Sequence, residues 1–214
     1  WLESWQGSKQ VSRPQAAGTV AGMRLAVLAS GTGSILEAIV DAGLPVHLVV
    51  TDRPCGALDL AASLGISTRI VERDSFGDDF DRNAYTVDLV DVLVKAGTDL
   101  IAMAGFGTIL AKPAYDKFAD RILNTHPALL PAFPGWHSVA EAMVHGVKVT
   151  GCTVHVATLE VDSGPILAQE AVSVLPDDDE ESLHERIKMV ERRLYPETIR
   201  AVLENRTLLM GEYA

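Results

Sequence analysis

Between residues 24 and 125 the chain returns five times to a short strand-like run: Arg24 to Ala29, Val46 to Thr51, Ser67 to Val71, Asp99 to Ala104 and Arg121 to Thr125. Most of these runs are continuously apolar, the mark of strands buried on both faces. Segments of helical character separate them: Ile35 to Ala42, Gly56 to Leu64, Arg82 to Ala96 (with Gly97 as a stop) and Lys112 to Phe118. A strand that passes through a helix before the next strand pairs with it in parallel. The alternation therefore predicts an α/β fold, a Rossmann-like open sheet with helices on both faces. Two later β-branched runs, Lys148 to Ala157 and Pro165 to Leu175, predict an antiparallel hairpin at the carboxyl end of this mostly parallel sheet. A helix over Ser138 to His145 precedes the hairpin, and a long last helix follows it.

At 214 residues, 48% hydrophobic and 22% charged, the chain has room for one domain with a substantial core. That domain is expected over residues 23–214. Residues 1–22 carry Trp1 and Trp5 but neither periodicity nor a signal-type apolar segment, and read as a tail. A net charge of −11 argues against nucleic acid or an anionic membrane as partner. No run of about 18 apolar residues offers a membrane span. Cys55 and Cys152 form no Cys-x-x-Cys pair, so neither a zinc site nor a disulfide framework is expected, and a reducing cytoplasm is the plain reading. Monomer and homodimer both stay open.

Ser30-Gly-Thr-Gly-Ser34 follows the first strand at once. Ser34 is expected to cap the next helix, whose unused N–H groups and positive dipole end suit an anion such as a phosphate. Gly-x-Gly alone fits an ordinary strand-to-helix turn equally well, and a dinucleotide fingerprint wants a third glycine where Leu36 stands. Asp52 mimics the ribose-binding acid of such folds, although an acid ending a strand commonly only forms a turn. Gly105 to Leu110 leaves the fourth strand as a turn able to wrap a flat ligand, with a plain loop as the competing reading.

The chemistry is expected at Asn124-Thr-His126. Side chains at i and i+2 of a strand share a face, so an amide donor and an imidazole can aim at one reacting group, at the sheet edge where α/β folds bind ligands. Pro127, Pro131 and Pro134 stiffen the loop that follows. A neutral donor beside a titratable one suits a carbonyl oxygen that becomes negative during acyl transfer.

Asn124-Thr-His-Pro-Ala-Leu-Leu-Pro131, then Pro134-Gly135, then Asp162-Ser-Gly164, together resemble the folate-dependent formyltransferase family. The resemblance runs from about Arg24 to about Leu203. Ala128 stands where that family usually has Ser, and Gly107-Thr108 where Met-Arg is common. The resemblance implies transfer of the formyl group of 10-formyltetrahydrofolate, without a metal, to the amine of glycinamide ribonucleotide in purine synthesis. Asn124 would bind the formyl oxygen, His126 would stabilise the oxyanion, and Asp162 would support His126 and orient a proton-carrying water. Gly33, Ser34, Ile35, Lys188 and Glu191 would hold the phosphate and ribose of the nucleotide. Arg82, Gly107, Thr108, Ile109, Leu110, Asn124, Thr158, Leu159 and Glu160 would hold the folate.

Read without the resemblance, Arg82 is a solvated surface residue, Asp162 a turn former, His155 a satisfied core histidine, and Lys188 with Glu191 a surface ion pair one turn apart; the resemblance places His155 near the site. The run Pro176 to Glu181 reads as a solvated acidic loop, Ser182-Leu-His-Glu185 as a capping box, and Pro196 as a kink or division of the last helix. Alternatives in the same family are a formyltetrahydrofolate hydrolase and a methionyl-tRNA formyltransferase-like enzyme. These usually carry a further domain, for which the chain has no room. A non-catalytic nucleotide-binding module using only the Gly31 loop is the reading from a different class.

Overall fold

Leu25–Ala29 forms β1, buried at every position, as its continuous hydrophobicity requires. In the computed structural model, which describes residues 22–75 and 77–210, β1 lies inside a seven-stranded sheet, third from one edge. The tail expected over residues 1–22 falls outside the described residues except for Gly22. The strands that follow are β2 (Val46–Thr51), β3 (Ser67–Ile70), β4 (Leu100–Met103), β5 (Ile122–His126), β6 (Val149–Val156) and β7 (Ile166–Ser173). Their order is β3-β2-β1-β4-β5-β6-β7. Pairing is parallel from β3 through β5, then antiparallel from β5 to β6 and from β6 to β7.

The helices are α1 (Ser34–Asp41), α2 (Gly56–Ser63), α3 (Arg82–Lys95), α4 (Lys112–Lys117), α5 (Ser138–Val144) and α6 (Glu180–Glu204). Side-chain alternation along β1 divides the core in two. Leu25, Val27 and Ala29 pack on one face with Leu36 and Ile39 of α1 and Ile187 and Ile199 of α6. Ala26 and Leu28 pack on the other with Leu89 and Leu93 of α3 and Phe118 after α4. Both faces are thus covered, as a parallel sheet needs.

Four local expectations are corrected. The residue capping α1 is Gly33 at φ 90°, and Ser34 is already helical and gives no side-chain cap. The capping box of α6 pairs Asp179 with Ser182, three residues before the expected Ser182–Glu185 pair. Asp178 is not merely solvated: it takes two bonds from Arg186, at 2.7 and 2.6 Å. The last helix is not divided at Pro196; all 25 residues are helical. Pro196 costs one backbone bond, but Leu194, Tyr195 and Ile199 around it are buried, and packing keeps the helix whole. Among the described residues no helix is long and apolar enough to cross a membrane.

Candidate active site

β5 brings Asn124 and His126 to the carboxyl edge of the sheet, and the antiparallel β6 sets His155 opposite Asn124 and Thr153 opposite His126. Thr153 pins the loop beyond His126. Its hydroxyl donates to Ala128 C=O at 2.6 Å and accepts Leu130 N–H at 3.1 Å, while Gln169 Nε2 donates to Leu130 C=O at 2.8 Å. The proline-rich loop is therefore held by β6 and β7 as well as by its own restricted dihedrals.

Four side chains converge there. Asn124 Nδ2 lies 3.2 Å from His155 Nε2. Asp162 Oδ1 lies 3.5 Å from the same nitrogen, and Asp162 Oδ2 lies 3.3 Å from His126 Nδ1. Gly135 N–H donates to Asp162 Oδ2 at 2.8 Å. His126 Nε2 lies 2.8 Å from Phe133 C=O, so both ring nitrogens of His126 lie near oxygen atoms. Burial opposes the charge on Asp162, but the bonds from His155 and Gly135 N–H and the nearby imidazoles outweigh it, holding the carboxyl below its usual range. Asp162 sits at φ 54°, a left-handed conformation tolerated best by Gly, Asn and Asp. His155 is a member of this cluster, not a detached core histidine. Its place in a continuous β-branched strand hides it from local pattern, and its register against Asn124 brings it into the cluster.

The glycine loop lies at the same sheet edge. The first bond of α1 runs from Glu37 N–H to Gly33 C=O at 2.8 Å, so the N–H groups of Ser34, Ile35 and Leu36 have no partner within the helix. The Ile35 side chain is buried in the core, which leaves its backbone as the contacting group. A crevice of about 520 Å³ opens beside this loop, lined by Ser30, Gly31, Arg53, Gly105, Gly107 and Trp136. Trp136, 80% exposed, follows the Gly135 that holds Asp162, and so joins crevice and cluster.

The remaining candidates divide. Lys188 does not pair with Glu191; its ammonium lies 2.7 Å from Glu185 Oε1. Glu191 turns inward to bond Thr125, and its burial pushes the carboxyl pKa up against that bond and the charges of Lys188 and Arg192. Thr108 and Leu110 are buried: Thr108 Oγ1 donates to Asp52 at 2.9 Å, and Leu110 belongs to the core. Ile109, Leu159 and Glu160 are exposed, and Thr158 Oγ1 donates to Glu160 C=O at 2.9 Å. Arg82 is exposed at the start of α3 and, with Asp162, acts electrostatically on Tyr115 of α4. Asp52, beyond turn formation, is fully buried and ties β2 to the loop after β4.

The family described as formyl transferase matches residues 23–199. Phosphoribosylglycinamide formyltransferase of Mycobacterium tuberculosis is 45% identical over 196 residues, 89% of this chain and 90% of that protein. The trifunctional purine biosynthetic protein adenosine-3 of Homo sapiens is 37% identical over 88% of this chain, which spans 19% of that longer protein. The crystal structure of glycinamide ribonucleotide transformylase 1 from Symbiobacterium toebii superposes with a TM-score of 0.80 at 40% identity, over 86% of this chain and 89% of that one. Match length and identity agree with the strand order and the site at the edge of β5: the chain belongs to the formyl transferase family.

Proposed function

We propose that the chain transfers the formyl group of 10-formyltetrahydrofolate to the amine of phosphoribosylglycinamide, in purine biosynthesis. The observation that carries this reading is the Asn124–His155–Asp162–His126 cluster at the end of β5, its two imidazoles buried, beside a glycine loop suited to a phosphate. Asn124 donates its amide N–H to the formyl oxygen. The amine nitrogen attacks the formyl carbon, and His126, moving off Phe133 C=O, donates to the oxygen as it becomes negative. Asp162 holds the charged imidazole in place and takes the amine proton through a water. The bond from formyl carbon to the folate nitrogen then breaks, and that nitrogen takes up the proton that Asp162 and the water have carried from the amine. Lys188, Glu191 and the backbone of Gly33, Ser34 and Ile35 take the nucleotide. Arg82, Gly107, Thr108, Ile109, Leu110, Thr158, Leu159 and Glu160 form the folate wall, with Thr108 and Leu110 serving through their backbones. Two free cysteines, Cys55 and Cys152, fit a cytoplasmic setting.

Formyl transfer from 10-formyltetrahydrofolate, assayed with and without phosphoribosylglycinamide, tests the reading. Acceptor-dependent turnover is expected. Equal deformylation without acceptor would assign a hydrolase, and ligand binding with no turnover would assign a non-catalytic module.

A further inference from the structure

Arg53 stands at the end of β2 on the wall of the crevice, outside the residues given a role above. Its guanidinium is gripped edge-on by the neighbouring Asp52, Nε to Oδ1 at 3.0 Å and Nη2 to Oδ2 at 3.1 Å. Asp52 has no exposed side-chain surface, whereas Arg53 keeps 39% of its own. Asp52 is itself fixed by Thr108 Oγ1 and by the Ser30 hydroxyl. A buried carboxylate that braces a half-exposed guanidinium fixes the plane of the fork, so little side-chain freedom is lost when an anion arrives.

The opposite wall has been cut back to admit this side chain. A Cβ on Gly107 would lie 3.2 Å from Arg53 Nη2 and 3.5 Å from Ser30 Oγ. Gly107 N–H also bonds Ser30 Oγ at 2.7 Å, so the loop after β4 is drawn close to the guanidinium. The segment carrying Arg53 is in turn fastened to the glycine loop. Ala57 N–H donates to Gly31 C=O at 3.1 Å, and a Cβ on Gly56 would lie 3.0 Å from Thr32 C=O. Arg53 and the unused N–H groups at the start of α1 therefore belong to one rigid wall. In a chain of net charge −11, an anionic substrate depends on such local donors.

We infer that Arg53 is an anion-binding residue for the phosphoryl group of the acceptor, with Asp52 as the positioning residue that aims it and Gly107 as the opening that admits it. The identity of the acceptor rests on the formyl-transfer reading; the assignment of a phosphate monoester to Arg53 does not. A planar fork matches phosphate oxygens, and the glycine-loop wall offers further N–H donors for the same group.

The test is a split of Michaelis constants in the full chain. Arg53→Ala is expected to raise KM for phosphoribosylglycinamide roughly 10–100-fold, the size of a lost charge-assisted contact. The folate KM and kcat should move less than about twofold. Since Ala at 53 strips buried Asp52 of its cation, Arg53→Lys puts the same question with the charge retained. It removes the fork and should weaken the acceptor, by less than Arg53→Ala. Ribose 5-phosphate titrated by calorimetry reads the contact without catalysis. Binding of that probe that depends on Arg53, in a chain that transfers no formyl group, would uphold Arg53 and retire the formyl-transfer reading. Acceptor and probe affinities equal to wild type in every variant that folds would overturn the inference. So would a loss confined to the folate, which would assign Arg53 to a folate carboxylate.

Discussion

At the scale of single residues, the site depends on one carboxylate serving two imidazoles. Asp162 reaches His126 at 3.3 Å and His155 at 3.5 Å, and His155 in turn faces the Asn124 amide. Loss of one oxyanion donor costs roughly 10²–10³ in turnover, and His126→Ala should fall in that range. Asp162→Asn should cost a similar amount, and the double variant scarcely more than either single one, because the two act as a unit. The kcat of all three checks this, and losses that multiply would refute it. Acid stability gives a second measure. The Asp162 pKa is lowered in the folded state, so below the unfolded value of ~3.9 the unfolded chain binds more protons, and stability falls with pH. The contribution is complete above about pH 4 and is lost as pH falls through the folded value. Melting temperatures from pH 5 to pH 3 should fall more steeply in wild type than in Asp162→Asn; parallel curves would sink the assignment. Asn124 and His126 were legible because spacing of two on a strand fixes a common face. His155 was legible only through the resemblance: what recruits it is its pairing with β5, which no local pattern encodes.

Elements were easier to read than their ends. Buried parallel strands announce themselves by continuous hydrophobicity, and the alternation with helices marks the sheet as parallel, but caps depend on backbone geometry that composition underdetermines. Gly33 shows the difference. Its glycine is explained by φ 90° and by a Cβ that would stand 3.0 Å from Ala57 Cα and 3.2 Å from Leu60 Cδ2, so α2 packs where a side chain would go. A residue held at this φ costs ~1–3 kcal/mol, and overpacking adds a similar amount. Gly33→Val should therefore lower Tm by roughly 5–15 °C, in contrast to a loss of phosphate binding with the fold intact. Thermal melts beside acceptor titration separate the two, and an unchanged Tm would return Gly33 to a ligand role alone. The cap of α6 was misread for a related reason. Asp179 and Ser182 satisfy the box, and Asp178 is taken by Arg186, a tertiary pairing that the acidic run by itself does not reveal.

The molecule as a whole must hold two groups of residues in register: the cluster on β5 and the residues of α6 proposed above to take the nucleotide. Tyr195 is the fastening. It is fully buried, its hydroxyl donates to Leu123 C=O at 2.9 Å, and the hydroxyl oxygen accepts from Met103 N–H. Leu123 precedes Asn124, and Met103 stands opposite Asn124 in the β4–β5 pairing, so the phenol bridges the two strands just where the site begins. Glu191 lies one turn before Tyr195 on α6 and Lys188 two turns before. Arg200, further along the helix, bonds Ala42 C=O at the end of α1, which fixes the other end of the same body against the glycine-loop helix. Tyr195→Phe keeps the ring and its packing but removes the buried bond that the phenol gives Leu123 C=O, a cost of ~0.5–1.5 kcal/mol. Tm should fall by roughly 1–6 °C. Because α6 then seats less firmly against Thr125, KM for phosphoribosylglycinamide should rise more than KM for the folate, while the pH dependence of kcat, set by the β5 cluster, keeps its shape. An unchanged Tm would show that the hydroxyl carries no part of the attachment. A rise confined to the folate KM would show that α6 does not set the position of the nucleotide.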